Sequence, residues 1–178
     1  TLLESLLDRH PAIALPVAET GFWRRHHRRY DPLDGERLAA LVRDALAQVA
    51  ASGGRRVPGD EAAVVASIRR AGPAPCYGVV YERLLRHVLA DDASRWGEKC
   101  AGPCLEVPRF LETFPRGQVL LVHRDPRDVF ASETRRLERE GAPGTDDRLV
   151  AVPQWRLMSE VAAGYRGTLP AGSYREVA

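Results

Sequence analysis

The chain has 178 residues, 44% of them hydrophobic and 28% charged, with a formal net charge of +2. That is enough for one domain with a sizeable core, and too little charge for a general nucleic-acid binder. No apolar run approaches membrane-spanning length and no secretory signal is read, so no membrane partner is expected. The three cysteines, Cys76, Cys100 and Cys104, form no CxxC pair. They read as free thiols of a reducing, cytoplasmic setting rather than as a disulfide framework or a metal site.

Thr1 to Arg9 reads as a helix, with Leu2, Leu3, Leu6 and Leu7 as an apolar stripe that His10-Pro11 ends. Ala12 to Val17 is short and apolar, interrupted by Pro16, and reads as an edge strand. Glu19 falls just past its end. Arg24, Arg25, His26, His27, Arg28 and Arg29 then form a dense basic run. It reads either as a solvated face or mobile loop, or as a rim that attracts an anionic cofactor or acceptor.

Three helices come next. Asp34 caps the first, which runs to Ala51 with Leu38, Leu41, Val42, Leu46 and Val49 at helical spacing, and Gly53-Gly54 stops it. The second starts at Asp60, with Val64, Val65 and Ile68 inward, and ends at Gly72. The third spans Tyr77 to Leu89 on Val80, Leu84, Leu85 and Val88. None carries a catalytic pattern, and all three read as cover for a sheet and walls for an acceptor pocket.

Beyond a polar connection comes Trp96-Gly97-Glu98-Lys99. Lys99 is the only lysine among 26 basic side chains. In so Arg-biased a chain a lone Lys either is chance or marks a place that needs a compact ammonium rather than a planar fork. Pro108 starts a helix carrying Phe110, Leu111 and Phe114. Pro115-Arg116-Gly117 turns into Val119-Leu120-Leu121-Val122, an unbroken apolar run that suits a strand buried on both faces of a parallel sheet.

Asp125-Pro126 then marks a helix start, with Asp at the cap and Pro at the first helical position. Asp128 lies in the first turn, and the helix stops at Gly141. A strand feeding into a helix puts the turn at the carboxyl edge of the sheet, where open α/β folds bind ligands. Arg124 stands at that turn and Ser132 eight residues on; a guanidinium and a hydroxyl so placed can hold a phosphate. Arg127 and Asp128 read as solvent-facing and capping. After a Gly/Pro-rich loop from Gly141 to Asp147, a last helix spans Pro153 to Gly164 with Trp155, Met158 and Val161 inward. Ser173 to Val177 reads as a final strand.

The segment from Gln118 to Arg136, QVLLVHRDPRDVFASETRR, resembles the sulfotransferases that use 3'-phosphoadenosine 5'-phosphosulfate (PAPS). So does Trp96 to Lys99, which matches the family's W-G-E-K segment. The opening TLLESLLDRHPAIALPVAET is similar to the segment just after the family's phosphosulfate loop. The resemblance implies a three-layer α/β/α sandwich around a central parallel sheet, the P-loop-like sulfotransferase fold. It implies that residues 1–178 are a single sulfotransferase domain lacking the family's N-terminal strand and phosphosulfate loop and its C-terminal segment. It assigns Arg124 and Ser132 to the cofactor's 3'-phosphate and aligns Thr1 with the last Thr of the phosphosulfate loop. The expected cofactor is PAPS, its product adenosine 3',5'-bisphosphate, with no metal; the expected partner is a small-molecule acceptor.

Sulfuryl transfer is an in-line displacement and, by analogy with phosphoryl transfer, needs positioning and charge stabilisation. Glu19 is the candidate base, by resemblance to the tyrosylprotein-sulfotransferase-like branch of the family. His26 and His27 compete, since neighbouring cations depress their pKa and favour neutral imidazole. Lys99 is the candidate for charge on the bridging oxygen, with Glu98 orienting it. Trp96 either stacks on adenine or belongs to the core. A P-loop kinase is the other enzyme class considered, but no G-x-x-x-x-G-K-[ST] is present. A non-catalytic nucleotide-binding domain is the third reading.

Overall fold

The computed structural model describes residues 2–16, 18–52, 60–72, 74–89, 93–100, 104–141 and 145–177. The chain divides into two compact units, Thr1–Ala101 and Gly102–Ala178. Each is a mixture of helices and one short parallel strand pair.

The first unit contains α1 (Leu2–Asp8), β1 (Ile13–Ala14), α2 (Phe22–Arg25), α3 (Gly35–Ala51), α4 (Glu61–Arg70), α5 (Tyr77–Leu89) and β2 (Arg95–Trp96). The expected helix bounds hold for α3 to α5. Asp34 accepts the Arg37 N–H at 3.0 Å and Asp60 the Ala63 N–H at 2.9 Å. Each satisfies one of the orphan donors of a first turn. Most of the predicted apolar faces are core: Leu38, Leu41, Val42, Val49, Val64, Ile68, Val80, Leu84 and Leu85 are all buried, whereas Val88 is only half-buried.

Three expectations are corrected here. The strand expected from Ala12 to Val17 is only Ile13–Ala14, because Pro16 has no N–H to give a ladder; Val17 lies outside the described residues. Its partner is β2, in parallel register Ile13↔Arg95 and Ala14↔Trp96, inside what reads as a polar connection. The leucine stripe of α1 is only half used, with Leu6 55% exposed.

The basic run also starts as a helix. Gly21, at φ 62, turns the chain into α2, and Phe22 and Trp23 drop into the core while Arg24 and Arg25 stay outside.

The second unit opens with a 3-10 turn at Cys104–Glu106. It continues through α6 (Val107–Thr113), β3 (Val119–Val122), α7 (Pro126–Arg139), α8 (Thr145–Tyr165) and β4 (Tyr174–Val177). β3 and β4 pair in parallel from Val119↔Tyr174 to Val122↔Val177. Val107 and Leu111 of α6 pack with Val119 and Leu121 of β3 and with Val161 and Tyr165 of α8. Gly117 is required before β3: a Cβ there would lie 2.7 Å from the Phe110 ring and 2.9 Å from the Phe114 carbonyl oxygen.

β3 occupies the expected residues, yet it is not buried on both faces. Val119 and Leu121 are half-buried, whereas Leu120 and Val122 are 42% and 48% exposed. An apolar run does not distinguish one covered face from two, and here β3 has only β4 beside it among the described residues. The last helix begins before Pro153 and carries that proline inside it. Among the described residues no helix is long and apolar enough to cross a membrane, and Cys76 and Cys100 are free thiols.

Candidate functional site

In the first unit, β1 and β2 lie side by side and bring the segments that come after them together. Gly97 N–H donates to the Ala14 carbonyl at 3.2 Å. Beyond it, the Glu98 carboxylate accepts the backbone N–H of Thr20 at 3.1 Å. The Lys99 ammonium lies 2.9 Å from Oε1 of Glu19. The two candidate catalytic residues, distant in sequence, are thus one ion pair. Its side chains are partly open, 39% exposed for Lys99 and 25% for Glu19. The bond from Glu19 raises the Lys99 pKa and keeps it an ammonium.

Glu98 does not orient Lys99 directly, as expected from sequence. It holds Thr20, the neighbour of Glu19, and accepts the Cys100 thiol at 3.1 Å. Burial raises the Glu98 pKa above its usual value, and the nearby Glu19 adds to this against the hydrogen bonds from Thr20 and Cys100. The Cys100 thiol is pushed up as well, first by desolvation and then by the Glu98 carboxylate that accepts its hydrogen bond.

The rival bases sit differently. His26 is 5% exposed, and among the described residues neither ring nitrogen has a hydrogen-bond partner. Its pKa is lowered, first by burial and then by Arg29 and Arg25, with Asp44 opposing. Burial, rather than the neighbouring cations expected from sequence, is the larger cause. A neutral imidazole results, but one closed to an acceptor. His27 packs its ring at 5.3 Å on Trp23 and 4.8 Å on Tyr77. His10 is structural, its Nδ1 accepting the Ala12 N–H at 3.1 Å. The Trp96 ring meets Tyr81 edge-on at 5.8 Å, and the Arg86 guanidinium lies 6.0 Å from its centroid.

In the second unit, Asp125 caps α7, accepting the Arg127 N–H at 2.8 Å, with Pro126 next. The Arg127 guanidinium also pairs with Asp125 at 2.6 Å and holds that carboxyl down at about 2, while remaining 89% exposed. Arg124 and Ser132 line one open cleft of about 810 Å³ together with Asp128, Arg135, Glu138 and Arg139. Asp128, Ser132, Arg135 and Arg139 recur at helical spacing along the exposed side of α7, and Arg124 stands on the turn before it. Among the described residues the Arg124 guanidinium has no hydrogen-bond or ion-pair partner. A planar donor fork beside a hydroxyl, in a cleft with two further guanidiniums, suits a phosphate.

Sequence reasoning missed two features of this cleft. Arg135 and Arg139 join it, each bonding Nε to a carbonyl four residues back, Ala131 at 3.1 Å and Arg135 at 3.2 Å. Trp155 of α8 donates its indole N–H to the Arg124 backbone carbonyl at 2.9 Å and so fixes the turn that carries the guanidinium. The spacing of α7 announces the first; nothing in the sequence announces the second. Thr1, the remaining candidate ligand, lies outside the described residues. Among the described residues no group of three or more His, Cys, Asp or Glu side chains is placed to hold a metal ion.

Comparison with curated proteins and with solved structures returned no match. A family model described as the sulfotransferase family matches residues 1–177, across both units. The strand, the Arg-Asp-Pro turn and the α7 cleft therefore belong to a chain that is a member of the sulfotransferase family.

Proposed function

We propose that this chain is a PAPS-dependent sulfotransferase that moves a sulfuryl group to a hydroxyl or amine of a small-molecule acceptor by in-line displacement. In this reading the two units are parts of one sulfotransferase domain, a three-layer α/β/α sandwich around a parallel sheet. Support for a single domain comes from the family match, which runs through both units.

The observation that carries the reading is the α7 cleft: Arg124, unpaired among the described residues, opens beside Ser132. PAPS supplies the activated sulfuryl group. Arg124 and Ser132 hold its 3'-phosphate through charge-assisted hydrogen bonds. Glu19 takes the acceptor proton, and Lys99 holds positive charge where the bridging oxygen becomes an anion. Glu98 keeps the Glu19 backbone in place through Thr20. Trp96 stands three residues before Lys99 and offers a ring to the adenine.

The test is binding of adenosine 3',5'-bisphosphate and of adenosine 5'-phosphate to the wild type and to Arg124→Ala. A hydrogen bond to a charged group contributes about 1.5–3 kcal/mol, and tenfold in affinity corresponds to about 1.4 kcal/mol. The substitution therefore weakens the bisphosphate about ten- to a hundredfold and scarcely affects the monophosphate. Ser132→Ala acts in the same direction but less. Equal losses for both ligands would return Arg124 to a structural cation.

A further inference from the structure

The basic run of the first unit has an exposed cationic side over a buried aromatic base. Its inner residues are anchored: Phe22 is fully buried, Trp23 is 7% exposed and His26 is 5% exposed. The Phe22 ring packs on Tyr77 and Tyr81. Arg24, Arg25, Arg28 and Arg29 are exposed on top of this base. Arg28 holds a left-handed backbone at φ 60, a conformation that non-glycine residues adopt rarely and mostly for a local reason.

The guanidiniums of the run have no direct carboxylate partner among the described residues. Elsewhere in the same unit Arg37, Arg43 and Arg86 each pair with a carboxylate. Arg24, Arg25, Arg28 and Arg29 form no ion pair with a described residue, and Arg25 bonds only the neutral amide of Gln48. The nearby acids keep their charge but direct their hydrogen bonds elsewhere. Asp44 takes the Tyr30 hydroxyl at 2.5 Å, Asp34 caps α3 and pairs with Arg37, and Asp31 takes the Tyr77 hydroxyl. Four adjacent guanidiniums on a fixed base repel one another unless an anion joins them.

The run begins five residues after the candidate base. Phe22 donates its N–H to Thr20 Oγ1 at 3.2 Å, and Thr20 adjoins Glu19. The phosphate cleft of Arg124 belongs to the other unit. We infer that the acceptor is itself an anion, carrying phosphate, sulfate or carboxylate groups that Arg24, Arg28 and Arg29 hold while Glu19 faces its nucleophile. This inference rests on the sulfotransferase reading above. The planar forks of Arg suit such groups better than ammoniums, and the local field raises the encounter rate with an anion.

The test is calorimetric titration of the full chain with inorganic tripolyphosphate at low salt, with adenosine 3',5'-bisphosphate held at saturation. Tripolyphosphate should bind alongside the bisphosphate. Arg24→Gln/Arg28→Gln/Arg29→Gln should weaken it by about tenfold or more, with bisphosphate affinity unchanged within about twofold. The corresponding triple Lys variant should retain most of the binding, which guards against a loss caused by misfolding. Arg37→Gln/Arg43→Gln/Arg86→Gln removes the same formal charge from ion-paired sites and should change tripolyphosphate affinity by no more than about threefold. Displacement of tripolyphosphate by the bisphosphate, or equal losses in the two Gln triples, would overturn the inference. Failure of the bisphosphate to bind at all defeats the donor assignment and the acceptor role with it; titration without the bisphosphate then tells whether the cationic surface exists.

Discussion

The Lys99 ammonium and the Glu19 carboxylate lie 2.9 Å apart, although far apart in sequence. The bond to Glu19 raises the Lys99 pKa and keeps its charge, and it fixes the two side chains against each other. The pair is suited to a reaction in which both partners are needed at once. In the proposed reaction, proton transfer from the acceptor would neutralise Glu19 and leave the Lys99 ammonium to the oxygen that gains charge.

Glu19→Gln should cut turnover by about 10²- to 10⁴-fold, the usual contribution of general acid–base catalysis, while bisphosphate affinity stays unchanged. Steady-state kinetics with parallel binding measurements check this. His27→Ala should leave turnover nearly intact. A loss confined to the histidine variant would move the base into the basic run.

Lys99→Arg keeps the charge but exchanges a compact donor for a wide planar one. Turnover should fall nearly as far as in Lys99→Ala. Wild-type turnover in Lys99→Arg would show that bulk charge suffices at this position.

In the proposed mechanism Glu98 positions Glu19 through Thr20, and its two roles separate by substitution. Glu98→Gln keeps an oxygen for the Thr20 N–H and should retain most activity, whereas Glu98→Ala should lose it with Glu19 chemically intact. The pH dependence has a definite sign. The folded-state pKa of Glu98 is raised above 4.5 by burial, so the fold favours its protonated form. Its favourable contribution is fully present below the unfolded value and is lost as pH rises through the folded value. Thermal melts should therefore show Glu98→Gln gaining on wild type as pH climbs from the unfolded value into the neutral range. A constant difference between the two would exclude a charging cost at Glu98.

Trp155→Phe removes the indole donor from the Arg124 carbonyl and preserves most of the packing. A neutral hydrogen bond contributes about 0.5–1.5 kcal/mol, so discrimination between adenosine 3',5'-bisphosphate and adenosine 5'-phosphate should fall by about two- to tenfold. Parallel weakening of both nucleotides would mean that Trp155 supports the fold alone.

The long amphipathic helices are legible in the sequence because caps and apolar spacing agree at Asp34, Asp60 and Asp125. Short elements are not. α2 is four residues long and hides behind its arginines, and β1 and β2 have two residues each, too few for a period to register. Pro153 reads as a helix start because proline favours the first turn, yet it stands inside α8. At the site, local signals locate Arg124 and Ser132, which belong to one turn and its helix. The contact of Glu19 with Lys99 depends on the pairing of β1 with β2, which no local pattern announces. Side-chain bonds to backbone, from Glu98 to Thr20 and from Trp155 to Arg124, leave no periodic trace at all.

The parallel ladder of Val119–Val122 with Tyr174–Val177 also dictates an order of events during synthesis. β3 leaves the ribosome well before β4, and the whole of α7 and α8 must be made before its backbone groups find their partners. Pairings so distant in sequence close slowly, and an apolar strand waiting for one is an adhesive edge. Val-Leu-Leu-Val is such a strand, with Leu120 and Val122 still exposed after folding. Arg116 before it, and His123 and Arg124 after it, flank the run with polar and charged side chains, the placement by which natural sequences restrain intermolecular pairing. Arg124 thus serves the nascent chain as a gatekeeper before any ligand reaches it.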